Sequence, residues 1–416
     1  MISIGSLDGI IWLGVKKMLN ELYPRSYQQV MRLGMKVLKI PKPALLEGEN
    51  SLLQLPQLIV SKGIKRVLIV TDKGITSIGL MNSLLEQLTE ANIAYVIFDE
   101  TVPNPTIQNI EDGKALYMAN RCEGIIAFGG GSPIDCAKGI AARIVRPDKT
   151  IPQMKGMFKV LKEMPPFFAV PTTAGTGSEA TVAAVISNPE THEKYPIMDY
   201  YLVPHYAILD PNLTVNLPKH ITSTTGMDAL THAVEAYIGR SNTNETREFS
   251  REAIQLIYDN LLVAYKEPHN LEARANMQRA AYLAGMAFTR AYVGYVHAIA
   301  HTLGGFYNVP HGLANAVIMP YVFEYYGESA HKPLAELADL VGLATGKSEK
   351  EQAEAFIEWI KEMNRQMDIP TKIEGIQTKD IPTMAKRALA EANPLYPVPK
   401  MMNINEMAYM YLAIRA

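Results

Sequence analysis

Between about Lys65 and Asp210 the chain repeats one pattern. A short, continuously apolar run stops at Gly, Pro or Asp, and a stretch with helical spacing follows. The runs are KRVLIVTD, AYVIFDE, EGIIAFGGG, PFFAVPTT and YAILDP. None alternates apolar with polar residues, so each reads as a strand covered on both faces, as in a parallel sheet. GLMNSLLEQLTEAN and PTIQNIEDGKALYMAN, between them, carry apolar residues at spacings of three and four. Alternating strands and helices imply a layered α/β domain.

After DPNLTVNLPKH the strand signal fades. TGMDALTHAVEAYIG, SREAIQLIYDNLLVAYK, LEARANMQRAAYLAGMAF, PLAELADLVGL, EKEQAEAFIEWIKEMNRQM and KDIPTMAKRALAEA are rich in Ala, Leu, Glu and Met and read as helices. The chain therefore divides near residues 210–220, and its 416 residues fit two domains. A net charge of −2 gives no reason to expect nucleic acid. Two cysteines, Cys122 and Cys136, cannot staple a chain of this length, which points to a reducing, cytoplasmic setting. The apolar run near the N-terminus has Asp8 before it and lysines after it, the reverse of a signal peptide. AAYLAGMAFTRAYVGYVHAIAHTLGG is broken by Arg290, His297 and His301 and reads as buried helix, not a membrane span.

Three stretches at strand ends suit a dinucleotide. EGIIAFGGGSPIDCAKGIA reads as strand, glycine turn and helix, with Ser132 as cap, Pro133 at the first helical position and Asp135 three after the cap. Free N–H groups at that helix start can seat a pyrophosphate, although Ile134 stands where the usual fingerprint has its third glycine. FFAVPTTAGTGSEAT supplies the hydroxyls of Thr172, Thr173 and Thr176. KRVLIVTDKG ends on Asp72, a carboxylate that can hold a ribose diol and repel a 2′-phosphate, or simply cap a helix.

Nine histidines occur in the chain, and three fall within HAIAHTLGGFYNVPH. Asp228 and His232 are four apart, as are His297 and His301, so each pair shares a helix face; His311 follows in what reads as a PHG turn. One carboxylate with several imidazoles suits Fe²⁺ or Zn²⁺. HAIAH lacks the glutamate of the zinc-protease motif. His220 and His269 read as loop residues, and His205 lies in a VPHY turn. Tyr292, Tyr295, Phe306 and Tyr307 flank the histidines and suit either a pocket wall or core packing.

GGGSPIDCAK, PTTAGTGSEAT, TGMDALTHAVEAY and HAIAHTLGGFYNVPHGLANAVIMP, in that order, resemble the iron-containing (group III) alcohol dehydrogenases, of dehydroquinate synthase-like fold. The resemblance runs from about residue 42 to the end. It implies an α/β dinucleotide-binding domain over residues 42–212, an all-α metal-binding domain over 213–416, and an active site in the cleft between them. Carried over by motif, the metal ligands are Asp228, His232, His297 and His311, while His301 lies near the nicotinamide. The dinucleotide contacts fall on Asp72, Asn104, Gly130, Gly131, Ser132, Asp135, Thr172, Thr173, Thr176 and Lys194. Aspartate at the position of Asp72 goes with NAD rather than NADP.

The expected activity is reversible hydride transfer between NAD(H) and a small primary alcohol, aldehyde or diol. The metal, Fe²⁺ or alternatively Zn²⁺, would lower the alcohol's pKa, and His301 would relay a proton or fix the nicotinamide. A glycerol-type polyol dehydrogenase and an NAD-using lyase resembling dehydroquinate synthase are the alternatives on the same fold. The lyase needs a basic pocket, and no Lys/Arg cluster stands around HAIAH. A homodimer or larger homo-oligomer is expected. Residues 1–41 precede the resemblance, and GVKKMLNELYPRSYQQVMRLGMKVLKIPK suits an oligomer contact, a surface-binding amphipathic element or a strap packed on its own domain.

Overall fold

The structure, a computed structural model, describes residues 22–34, 40–191 and 193–416; the apolar run near the N-terminus and His192 lie outside them. The strands are β1 (Ala44–Glu47), β2 (Arg66–Val70), β3 (Ala94–Phe98), β4 (Gly124–Gly129), β5 (Gly156–Met157), β6 (Phe167–Pro171), β7 (Ala183–Asn188), β8 (Glu193–Met198) and β9 (Tyr206–Leu209). All five strands read from the sequence are present, as β2, β3, β4, β6 and β9. They join β1 in one sheet of order β1-β9-β6-β4-β2-β3, and every pairing in it is parallel.

Period-two geometry sends alternate side chains to opposite faces. Leu68, Val70, Ile125, Ala127, Phe167 and Ala169 pack into one apolar layer; Val67, Ile69, Ile126, Phe128, Phe168 and Val170 pack into the other. Both layers are needed, which is why these runs show no polar alternation. The chain steps from β2 outward to β3 and then back across to β4. The sheet order therefore reverses between β2 and β4, and a crevice opens at their carboxyl ends.

The small sheet β5-β8-β7 was not legible in the sequence. Its β7–β8 hairpin buries alternate residues (Ala184 and Ile186, Tyr195 and Ile197), but Pro196 in the middle of β8 hides the strand signal. This hairpin carries Lys194.

From Lys219 onward the regular elements are α-helical, apart from one short 3₁₀ turn (Thr378–Asp380) and an isolated bridge. Helix Lys219–Ile238 is buried almost all round from Gly226 onward and packs against helices Asn244–Lys266, Leu271–Ala291 and His311–Tyr326. His220 sits in its first turn, not in a loop, and His269 is in a turn. The long apolar stretch forms two helices, Leu271–Ala291 and Tyr295–Tyr307, broken at Tyr292 with φ 67°. Among the described residues no helix is long and apolar enough to cross a membrane.

Candidate metal centre and dinucleotide cleft

Asp228, His232 and Glu235 follow one another at spacings of four and three, so they share a face of the buried helix Lys219–Ile238. His297 and His301 do the same on Tyr295–Tyr307. Asn308, in the left-handed conformation at φ 54°, ends that helix, and Pro310 stands at the cap of the next. His311 is therefore the first residue of helix His311–Tyr326, not part of a turn as the PHG triplet suggested. Gly312 is needed there, because a Cβ would lie 2.4 Å from the carbonyl oxygen of Thr224.

These elements bring Asp228, His232, His297 and His311 together, with one ligand atom of each within 4.8 Å of all the others. Asp228 Oδ1 lies 3.9 Å from His232 Nδ1, 3.8 Å from His297 Nε2 and 3.6 Å from His311 Nε2. Asp228, His232 and His297 are at most 4 % exposed. Burial pushes the His232 imidazole down to about 3 and those of His297 and His311 well below their usual range, so all three are neutral, the form that binds a metal. It also raises the Asp228 carboxyl. His232 Nδ1 has no hydrogen-bond partner among the described residues.

Asn315 fills a telling position. Its amide nitrogen donates to Asp228 Oδ1 at 2.6 Å and lies 3.2 Å from both His297 Nε2 and His311 Nε2. A partial positive charge thus sits among three lone pairs. One carboxylate oxygen, three imidazole nitrogens and a lone pair left orphaned inside the protein fit a divalent transition cation.

The cofactor candidates surround the adjoining space. Helix Gly131–Val145 follows β4 with Gly130 at its N-cap and no side-chain cap, so its first amides are open to an anion. This corrects the sequence reading: Ser132 and Pro133 lie inside the first turn, and Asp135 makes no capping box. Ser132 Oγ accepts from Asn104 N at 3.2 Å. Asp135 instead accepts from Ser178 Oγ at 2.5 Å and from Val185 N at 3.0 Å, tying this helix to the threonine loop and to β7. A Cβ on Gly131 would lie 2.7 Å from Thr176 Cγ2, so the two loops pack directly on each other. Lys194 Nζ donates to Asn104 Oδ1 at 2.8 Å, and burial lowers its pKa.

Asn104, Gly131, Ser132, Asp135, Thr176 and Lys194 line a cavity of about 210 Å³ whose wall also includes His232, His297, His301 and His311. Gly130, Thr172 and Thr173 belong to the same loops but do not line it. Asp72 lies two residues beyond β2 and caps helix Lys73–Ser77 by accepting from Ile75 N at 3.0 Å. A second cavity of about 350 Å³ shares Lys194, His301 and Tyr396 with the first, so the two are parts of one crevice.

Comparison with known proteins identifies the family. Residues 42–211 match the model of the iron-containing alcohol dehydrogenases, and residues 222–414 match that of the C-terminal part of the Fe-containing alcohol dehydrogenase family. The chain belongs to the iron-containing alcohol dehydrogenase family. It is 41% identical to 1,3-propanediol dehydrogenase of Klebsiella pneumoniae over 354 residues, covering 84% of this chain and 91% of that one. It is 38% identical to alcohol dehydrogenase 4 of Saccharomyces cerevisiae (strain ATCC 204508 / S288c) over 378 residues, covering 89% and 97%. The solved structure of an alcohol dehydrogenase from Oenococcus oeni superposes with a TM-score of 0.86 at 35% identity, covering 90% of this chain and 99% of that one. The chain is thus an oxidoreductase of that family, with the family's α/β and helical parts.

Four residues of this family member escaped the sequence reading. Glu235 accepts from Gly294 N (2.8 Å) and Val296 N (2.9 Å) and meets His297 Nδ1 at 2.6 Å. Burial pushes its carboxyl up to about 8, against these three bonds. Glu391 meets His301 Nδ1 at 2.7 Å and accepts from Tyr396 Oη at 2.8 Å. Asn315 is the fourth. For Glu235 a signal existed, since it continues the Asp228–His232 face. The flanking aromatics divide: Tyr292 and Phe306 line the crevice, Tyr295 is core with its hydroxyl accepting from Met402 N, and Tyr307 donates to Asp380.

Proposed function

We propose that the chain interconverts small primary alcohols and their aldehydes, with NAD as hydride carrier and Fe²⁺ held by Asp228, His232, His297 and His311. The observation that carries this reading is a single cavity lined both by His232, His297 and His311, which converge with Asp228, and by the first turn of an uncapped helix. When bound, the ion would supply Lewis-acid polarisation of the alcohol oxygen, and the nicotinamide would supply the hydride acceptor.

The chain's own groups do the rest. Glu235 accepts the Nδ1 proton of His297 and so keeps the Nε2 lone pair directed at Asp228 and His311. The amides of Gly131 and Ser132 seat the pyrophosphate, and Thr176 packs against that turn. Lys194 holds Asn104 over the same end. Asp72 hydrogen-bonds the ribose and repels a 2′-phosphate, which favours NAD over NADP. His301, backed by Glu391, carries the alcohol proton away from the reacting oxygen towards the larger cavity. An apolar recess of about 60 Å³ adjoins the site and shares Ala183, Met198, Phe288 and Tyr292 with it. It receives the apolar end of the substrate.

The test is NADH formation by iron-loaded protein across a panel of alcohols, with NADP and Zn²⁺ in parallel. Turnover with primary alcohols and NAD supports the reading. No reduction of either nucleotide with any alcohol or diol overturns it.

A further inference from the structure

Ahead of residue 42, where the family match begins, helix 22–34 lies against the segment Asn393–Lys400. That segment reads NPLYPVPK. Pro394, Pro397 and Pro399 have no N–H, so the segment is rich in acceptors and poor in donors. Buried carbonyls there need donors from elsewhere.

Helix 22–34 supplies them. Gln28 is 3 % exposed, and its Nε2 donates to the carbonyls of Pro394 (3.1 Å) and Tyr396 (2.9 Å). Arg25 donates to Val398 O (2.8 Å) and Pro399 O (3.3 Å), and also to Gln28 Oε1 (3.1 Å). Every hydrogen of the Gln28 amide is used. From the other side, Arg240 N donates to Pro397 O at 2.7 Å. Tyr396, whose carbonyl Gln28 holds, lines both cavities and donates through its hydroxyl to Glu391, the partner of His301. The extension reaches the site a second time through Ile40, which lines the apolar recess and whose carbonyl accepts from Arg290 Nη2 at 3.2 Å.

We infer that helix 22–34 is a positioning element of the active site: Gln28 and Arg25 fix the Pro394–Pro399 loop so that Tyr396 keeps Glu391 against His301. The link to turnover rests on the function proposed above. The clamp itself does not.

The test compares full-length wild type with Gln28→Met, Tyr396→Phe and the double variant. Methionine keeps the length of the side chain and removes both donors. Hydrogen exchange of the Val398 and Arg240 amides should quicken about ten-fold in Gln28→Met, while helix Asn244–Lys266 is unchanged. For the iron-loaded enzyme, kcat should fall about five-fold in Gln28→Met, as expected for one lost hydrogen bond on this path. The double variant should fall no further than the worse single variant, within about two-fold. Should Gln28→Met not fold, Arg25→Lys removes the fork to Val398 and Pro399 and reads the same loop. Unchanged exchange at Val398 and Arg240, or kcat losses that multiply, would overturn the inference. A wild type inactive with every alcohol would sink the functional reading instead, leaving the exchange measurement to decide the clamp.

Discussion

Replacing Glu235 by glutamine removes an acid with almost no change of volume, at a position whose link to the proposed cation runs through His297. The carboxylate takes three hydrogens, from Gly294 N, Val296 N and His297 Nδ1. Glu235 Oε2 takes Gly294 N and His297 Nδ1 while Oε1 takes Val296 N, so one glutamine carbonyl cannot replace both oxygens. With the carbonyl at the Oε2 position the NH₂ opposes Val296 N and the bond to His297 loses its charge. With the carbonyl at the Oε1 position the NH₂ faces Gly294 N and His297 Nδ1, and donors meet unless the imidazole moves its proton to Nε2. That is the nitrogen 3.8 Å from Asp228 Oδ1, and once protonated it cannot bind a cation. The cost is that of one charge-assisted bond within the ligand shell, about 1.5–3 kcal/mol. This corresponds to a 10- to 100-fold weaker metal affinity, the usual range for partners that orient a ligand. Titrating metal-stripped wild type and Glu235→Gln with Fe²⁺ under anaerobic chelator competition measures the ratio directly. Affinities equal within a factor of two would refute the argument that Glu235 sets the His297 tautomer.

Asp72→Gly should raise the ratio of NADP to NAD activity, at a stability cost of only a few tenths of a kcal/mol because glycine also caps helices; an unmoved ratio in steady-state assays would leave Asp72 as a cap alone. The apolar recess beside Phe288 and Tyr292 should make kcat/KM rise from ethanol to 1-butanol and stay low for glycerol, and the reverse order would remove the recess from the substrate path. Glu179, buried near Lys138, has its carboxyl pushed up from 4.5 to about 7 by desolvation. Between those pH values the folded state binds more protons than the unfolded state, so stability falls as pH rises, by on the order of 3 kcal/mol in total. Urea unfolding of Glu179→Gln should show a correspondingly flatter profile from pH 4.5 to 7.

The sheet was legible because parallel strands buried on both faces leave continuous apolar runs, as in IIAF of β4. The candidate metal cluster was legible because Asp228 and His232 on one helix, and His297 and His301 on another, stand at spacing four. β1, with its ends exposed and only four residues, carried too little signal, and Pro196 concealed the β7–β8 hairpin. The helix begun by His311 was hidden because Pro and Gly beside it read as turn residues; here Pro310 precedes the helix and Gly312 answers a close carbonyl. Glu391, held by Tyr396, reaches His301 from ninety residues away, and no local periodicity records a contact of that kind. The same holds for Gln28, whose partners lie more than 360 positions on.

The most direct measurement is metal content and NADH formation on the same samples, stripped with chelator and reloaded stepwise with Fe²⁺, for wild type and Asp228→Asn. Wild-type activity should be absent after stripping and climb in proportion to bound iron until one ion per chain. Asp228→Asn should stay folded by circular dichroism, bind iron far more weakly and turn over no alcohol. Undiminished alcohol oxidation in fully stripped wild type, or in an iron-free Asp228→Asn protein, would contradict a hydride transfer that depends on this centre.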